Sequence, residues 1–318
     1  MRVLVTGASG FIGQRLCHAL RQRGDWVRGL DLQASPKLCD DFVVGDLGRG
    51  RLPASAFDGI EGVFHLAGKV HALSEVKADD AEYHRINTEG TREVLAASQV
   101  ARVRRFVFFS TIKAMVDSAP PGPAEILDEN HPPCPRTPYG QSKLEAEHLV
   151  LRGSYVPHPV VLRLCLVYGP GVKGNLRSMI DAIKRNRFPP IPDVGNQRSM
   201  VHLDDVIQAT LLAMNVDRAA GGTYIVSDGE SYSTGRIYLA ICLALKKPVP
   251  AWTVPLPLLR IAGWAGDAIG QLRRRRFFFD SDALAKLMGS EAFSNARICS
   301  ELGFKRKWTL ETALPAMV

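Results

Sequence analysis

Cysteine is sparse and scattered in this chain: Cys17, Cys39, Cys134, Cys165, Cys242 and Cys299 are all there is. No two form a C-x-x-C pair, so neither a zinc site nor a disulfide framework is indicated, and no metal is expected. The usage fits a reducing cytoplasm. No tract is of low complexity and no segment repeats. No apolar run is long enough to cross a bilayer: "PLPLLRIAGWAGDAIGQLRRRRFFF" is interrupted by Arg260 and Asp267. That stretch reads as packed short helices with a basic exposed loop. Membrane contact is therefore not expected, peripheral association with the inner membrane surface being the minority reading. The opening "MRVLVTGASG" is already a strand running into a turn, which leaves no room for a signal peptide. Acidic charge is in deficit, giving a net charge of +8. The basic residues are dispersed except at Arg273–Arg276, so a nucleic-acid partner is not expected and an anionic small substrate fits as well. With 46% hydrophobic residues in 318, the chain can bury a sizeable core, expected as two connected lobes.

The first thirty residues are the most informative. In "RVLVTGASGFIGQRLCHALRQRGDWVRGLD" an apolar run, Val3 to Val5, precedes Gly7, Gly10 and Gly13, followed by an amphipathic helix to about Arg23. Gly24-Asp25 breaks the helix, and Trp26 to Leu30 reads as a second strand ended by Asp31. This is a βαβ unit. Glycines at such a turn admit a pyrophosphate to the backbone, and the helix N-terminus adds free N–H groups and a positive dipole end. Gly7, Gly10, Phe11, Ile12 and Gly13 are thus the expected phosphate cradle. Asp31 is placed to accept hydrogen bonds from an adenosine ribose diol and would repel a 2′-phosphate. Arg28 and Lys37 lie off the strand tip, so NAD is favoured over NADP.

The spacing in "TGASGFIG" resembles that of extended short-chain dehydrogenases/reductases, and of their nucleotide-sugar epimerase/dehydratase family in particular. Later segments extend the resemblance over nearly the whole chain. Asp46-Leu47, ending "DFVVGDL", is similar to the family's pair set against adenine. Leu66, Ala67 and Gly68 after a fourth strand resemble its turn under the dinucleotide, while His65 reads as a structural histidine. Asn87 lies within a long helix, 81–98, where the family carries an asparagine that supports the active site; a surface asparagine is the even alternative. "VVLRLCLVYGPG" reads as a sixth strand, with Leu164 where proline is usual. "NQRSMVHLDDV" and the closing "ELGFKRKWTLETAL" match two further family patterns, with Arg306-Lys307 where proline is common. The resemblance implies an α/β fold with a Rossmann-type doubly wound parallel sheet. Residues 1–168 would bind NAD, with 200–226 crossing back to them. Residues 169–199 and 227–318 would form a smaller, discontinuous α/β substrate-binding lobe.

Tyr139 and Lys143 in "RTPYGQSKLEAEHLV" lie four residues apart on a predicted helix, hence on one face. Thr111 ends the fifth strand, where ligands sit in parallel sheets. The long proline- and acid-rich loop between them suits a functional role. A free phenol ionises near 10, so a nearby ammonium and a positively charged nicotinamide are expected to lower Tyr139 toward neutrality. Thr111, Tyr139 and Lys143 are the expected catalytic set, with Lys143 also reaching the nicotinamide ribose. By resemblance, Asn175 and Arg198 contact a nucleotide diphosphate, and Lys69 and Lys113 flank the sugar. The resemblance further implies a UDP-sugar substrate and a homodimer pairing helices 81–98 and 139–151. Family dehydratases carry an Asp-Glu pair after the strand-end threonine; here Ile112 and Lys113 stand there, which argues against dehydration. The expected activity is 4-epimerisation of a UDP-hexose or UDP-N-acetylhexosamine for surface-polysaccharide precursors. The alternative is NAD(P)H-dependent reduction of a UDP-4-keto-6-deoxy sugar, which the "STIK" segment resembles. A hydroxysteroid-type dehydrogenase or a non-catalytic dinucleotide sensor fits less well.

Overall fold

Apolar runs rich in Val, Leu and Phe become buried parallel strands, which explains why they read as continuous rather than alternating. The computed structural model describes residues 1–50, 52–70, 80–120, 122–273 and 280–318. The strands are β1 (Arg2–Thr6), β2 (Trp26–Asp31), β3 (Asp41–Val44), β4 (Gly62–His65), β5 (Arg105–Thr111), β6 (His158–Leu164), β7 (Leu166–Tyr168), β8 (Met200–His202) and β9 (Thr223–Val226). Seven form one sheet in the order β3-β2-β1-β4-β5-β6-β9, with every neighbouring pair parallel. The order reverses between β1 and β4, the switch point at which ligands bind such sheets.

The helices are α1 (Phe11–Gln22), α2 (Asp80–Tyr83), α3 (Gly90–Val100), α4 (Pro138–Arg152), α5 (Asn175–Lys184), α6 (Leu203–Asn215), α7 (Thr234–Ala244), α8 (Leu256–Arg273), α9 (Ser281–Met288), α10 (Ala296–Leu302) and α11 (Leu310–Ala313). One core packs α1, α6 and α10 on the sheet, around Leu16, Leu20, Val206 and Ile298. Another packs α3 and α4 on its other face, around Val94, Leu95, Ala146 and Val150. A third lies beyond β7 and draws on distant segments: Leu176 and Ile180, Ile237 and Ile241, Leu310 and Leu314.

Three expectations are corrected. The predicted sixth strand divides at Cys165. Its last sheet contact is the Cys165 N–H to the Val226 carbonyl, 3.2 Å. Both flanking strands stop there, at Thr111 and Val226, so Leu166–Tyr168 pairs with Met200–His202 instead. The long helix 81–98 is interrupted by a π-helical turn, His84–Glu89, joining α2 to α3. The stretch after Leu256 is one helix of 18 residues rather than several short ones, and it packs on α9 through Leu259 and Gly263. Of the Arg273–Arg276 run, residues 274–276 lie outside the described residues.

Candidate active site

The first part of the site is backbone. Gly7 has φ +71°, and a Cβ there would stand 2.8 Å from the Ala67 nitrogen. A Cβ on Gly13 would stand 2.1 Å from the Gly7 carbonyl oxygen, so only glycine lets α1 start this close to β1. Gly10 caps α1 with no side chain on its first-turn N–H groups. Phe11 and Ile12 open the helix. Asp31 ends β2 and is held by the N–H groups of Ser9 (2.9 Å) and Leu32 (2.7 Å), which fixes the carboxylate at the rim of the glycine turn. Arg28 is committed elsewhere: it pairs with Asp41 at 2.7 Å and donates to the Ser55 and Ala56 carbonyls. These residues fit an adenine dinucleotide: a Cβ-free cradle, first-turn N–H groups with no side-chain cap, and a fixed carboxylate at its rim.

The expected adenine pair sits differently from the sequence reading. β3 ends at Val44, and Asp46 lies past it, paired with Arg49 at 3.1 Å. Leu47 is turned into the core against Gly90. At the end of β4, Leu66 and Ala67 are tied to Thr6 through its carbonyl (3.2 Å) and its hydroxyl (3.1 Å). His65 is fully buried with both ring nitrogens engaged, by Thr6 (2.7 Å) and Thr91 (2.9 Å). Burial pushes its pKa down to about 3, so the ring stays neutral and structural.

Asn87 is buried, which removes the surface alternative. Its oxygen accepts from the Lys69 N–H (2.8 Å), and its amide donates to the Lys69 carbonyl and the Ser142 hydroxyl, 3.0 Å each. It thereby staples the Gly68 turn to α4, one residue from Lys143. The π-helical turn is what a poor helix former with this much side-chain bonding would favour, and such turns recur at functional sites.

Thr111 ends β5, and Tyr139 lies in the first turn of α4, where Thr137 caps the helix through the Gly140 N–H (3.2 Å). The Thr111 hydroxyl is hydrogen-bonded to Tyr139 and also accepts from the Lys113 N–H at 3.2 Å. The Tyr83 ring lies 5.8 Å from that of Tyr139, centroid to centroid. Burial raises Tyr139 to about 12, with the Thr111 bond working the other way. The expected lowering rests on a positively charged nicotinamide as well as the lysine, and the lysine by itself does not offset the burial. Lys143 points beneath the strand instead, donating to the Phe109 carbonyl at 2.6 Å with its ammonium 4.1 Å from the Phe108 ring centroid. Burial lowers its pKa to about 7, partly offset by Glu147 one turn along.

Glu147 is the residue that sequence reasoning missed most clearly, since it reads as a polar position on α4. It is 1% exposed and forms a two-pronged ion pair with Arg163 on β6, at 2.7 and 3.0 Å. The Ser110 hydroxyl donates to it at 2.5 Å. Strand and helix are thus locked together directly below Thr111 and Lys143. The one clue in the sequence is the Lys-to-Glu spacing of four.

Two of the anticipated substrate residues, Lys113 and Arg198, meet at Glu291. Lys113 pairs with Glu291 at 2.5 Å and donates to Ser118 at 2.9 Å. Arg198 is joined to the same segment through a β-bridge with Glu291. Burial lowers its pKa, and the Glu291 charge counters that effect. Burial would raise Glu291, but Lys113 and Arg198 together hold its carboxyl below the ordinary range. Glu291 was not anticipated. Asn175 starts α5 in an exposed position after Gly174, without a described side-chain partner. Lys69 pairs with Glu82. The loop after β5 is pinned over this cluster by bridges Ala119–Ser290 and Leu127–Phe293. Among the described residues no group of acids, histidines and cysteines could hold a metal.

The model of the NAD dependent epimerase/dehydratase family matches residues 3–227. A UDP-glucose 4-epimerase of Vibrio cholerae is 28% identical, covering 97% of this chain and 92% of its own length. A ketoreductase of Stigmatella aurantiaca, acting on a farnesylated dihydroquinoline oxide, is 31% identical over 100% of this chain and 96% of its own. An undecaprenyl-diphosphate N-acetylglucosamine 4-epimerase of Escherichia coli O157:H7 is 26% identical, covering 98% and 92%. Among solved structures, MoeE5 in complex with UDP-glucose and NAD is 25% identical with a TM-score of 0.76, covering 100% of this chain and 97% of that one. The chain belongs to the NAD dependent epimerase/dehydratase family, and NAD is its cofactor.

Proposed function

We propose that this protein is a 4-epimerase of a UDP-hexose or UDP-N-acetylhexosamine serving surface-polysaccharide precursor synthesis. The observation that carries the reading is the Thr111–Tyr139 hydrogen bond, flanked by Ile112 and an ion-paired Lys113. Ile112 is buried and has no proton to transfer. Lys113, bound to Glu291, is a poor base. Neither supplies the acid–base pair that dehydration requires, which leaves chemistry confined to C4. The 4-epimerase relatives support the same reading.

In this mechanism Gly7, Gly10, Phe11, Ile12 and Gly13 hold the dinucleotide pyrophosphate, and Asp31 accepts from the adenosine ribose. Asp46, Leu47, Leu66, Ala67 and Gly68 line the remaining path. NAD, when bound, supplies hydride acceptance and return at C4. Tyr139 takes the C4 hydroxyl proton and returns it, relayed or oriented by Thr111. A phenol with a pKa near 12 keeps its proton at neutrality, so the proton-accepting form needs added positive charge. Lys143 in its ammonium form and the oxidised cofactor supply it. Asn175 and Arg198 bind the diphosphate, for which a rigid guanidinium fork is suited. Lys113 contacts the sugar. The third core, with its lining segments, serves as the substrate lobe. A homodimer pairing helices 81–98 and 139–151 with their symmetry mates completes the proposal; light scattering that gives a monomer would contradict it.

A second reading is reduction of a UDP-4-keto sugar. A phenol that holds its proton is already the acid such a reduction needs, and a ketoreductase is among the relatives. The two separate when UDP-glucose, UDP-N-acetylglucosamine and a UDP-4-keto-6-deoxy sugar are supplied singly, with and without NADH. Conversion of a hexose without reductant is the expected result. NADH oxidation only with the keto sugar would install the reductase.

A further inference from the structure

Helix α8 has two apolar faces, and only one is used. The inner face buries Leu259, Gly263 and Gly266; Leu259 and Gly263 pack on α9, where a Cβ at Gly263 would be 3.3 Å from Ser281. The helix's only acid, Asp267, is turned the same way and accepts from the Ser281 hydroxyl at 2.5 Å. The outer face consists of Leu258, Ile261, Trp264, Ile269 and Leu272, which are 55, 55, 65, 36 and 86% exposed. At about 100° per residue these side chains, with Ala262, Ala265 and Ala268 between them, fill an arc of roughly 160°. No charged residue falls inside it. Arg260 stands at one edge of the arc and Arg273 at the other, both exposed.

Along the segment that carries the helix, charge is nearly all of one sign; on α9 the exposed Asp282 is paired with Lys286. From residue 244 to 276 the sequence holds Lys246, Lys247, Arg260 and Arg273–Arg276 against Asp267 alone, and Asp267 faces inward. Exposed Lys184, Arg185 and Arg187 lie beside the approach to α8, because Lys247 donates to the Lys184 carbonyl (2.7 Å) and the Val254 N–H to that of Pro190 (2.8 Å). Trp252, 63% exposed, precedes the helix. No helix among the described residues is long and apolar enough to cross a membrane.

We propose that α8 lies in the plane of an anionic lipid surface, its outer face sunk at the headgroup–acyl boundary and its flanking arginines on the headgroups. An apolar arc edged by cations, with a tryptophan in it, is the pattern of interfacial helices. A second protein copy would be expected to present acids to so basic a rim, whereas the rim here would repel its own image. None of the exposed α8 side chains is among the residues assigned to the C4 chemistry, so lipid binding and turnover can be measured independently.

The test is co-sedimentation of the full chain with vesicles of equal parts phosphatidylglycerol and phosphatidylcholine, against pure phosphatidylcholine. Binding to the mixed vesicles only, weakened by salt, is expected. Ile261→Glu/Trp264→Glu/Leu272→Glu should abolish it while leaving turnover and melting temperature unchanged, since all three side chains are exposed. Removing Arg260 or Arg273 should lower partitioning roughly fivefold each. Equal sedimentation with both vesicle types, or a glutamate variant that binds as the parent does, would overturn the proposal. So would a parent that ignores vesicles and a glutamate variant that turns an oligomer into a monomer by light scattering; that outcome would assign the face to a second copy.

Discussion

The two ends of the candidate site are built by different means. At the β1–α1 turn, the groups proposed to bind the cofactor are backbone, contributed by residues seven to thirteen and steadied by Asp31 on the Ser9 N–H. At the far end, Lys113, Ser118, Arg198 and Glu291 are side chains from segments up to 178 positions apart. A backbone cradle constrains residue type at fixed spacing, because a methyl group on Gly7 or Gly13 strikes main-chain atoms. A side-chain cluster constrains only charge balance, which many residue combinations satisfy. Substitutions in the glycine turn should therefore be tolerated poorly, whereas side chains at either rim should tune affinity by single changes.

The largest effect is expected where the two ends meet. Tyr139→Phe should lower kcat by about 10²–10⁴-fold, the usual cost of losing a positioned acid–base group, while NAD binding by calorimetry stays close to that of the parent. Near-normal turnover would remove Tyr139 from the chemistry. Beneath it, Glu147→Ala strands Arg163 in the core. Leaving a buried charge unpaired costs on the order of 3–5 kcal/mol, which urea unfolding will read. A loss below about 1 kcal/mol would show that the pair is wetter than its burial implies.

The contrast between the ends also explains what could be read in advance. The β1–α1–β2 unit, the strand-end Thr111 and the Tyr139/Lys143 pair were legible because each obeys a local period or spacing. Glu147 and Glu291 were not. Glu147 occupies a position polar in type, and only the arrival of Arg163 from β6 makes it a core residue. Glu291 is defined by Lys113 and Arg198, which no local pattern connects to it. The Phe109 carbonyl as a partner of Lys143 was not legible for a related reason: sharing a helix face with Tyr139 does not decide where a long side chain ends. The split of the sixth strand at Cys165 likewise depends on where its neighbours stop.

Smaller effects sharpen the comparison. Asp31→Ala should weaken NAD and narrow its preference over NADP by about tenfold, one to two hydrogen bonds to charge. An unchanged ratio would mean that another group reads the ribose. Glu291→Gln leaves Lys113 and Arg198 without their counter-charge. KM for a UDP-sugar should then fall by about two- to fivefold, the scale of a partly exposed ion pair. A rise in KM would show that Glu291 itself holds the sugar. Lys143 gives the pH signature. Its pKa falls from 10.5 unfolded to about 7 folded, so between those values the unfolded chain binds the extra proton. Stability of the parent relative to Lys143→Met should therefore rise with pH across that window and level off below it. A flat difference would show that the ammonium is not buried as described.

The central claim is that one chain removes a hydride from C4, holds the ketone and restores the same hydride to the opposite face, with Tyr139 moving the proton. Incubation with UDP-N-acetylglucosamine and UDP-glucose deuterated at C4, without added reductant, tests it directly by NMR. The account predicts an epimer inverted at C4 that still carries the deuterium there. A product with protium at C4, or no product from either hexose while NADH is consumed with a 4-keto sugar, would contradict it.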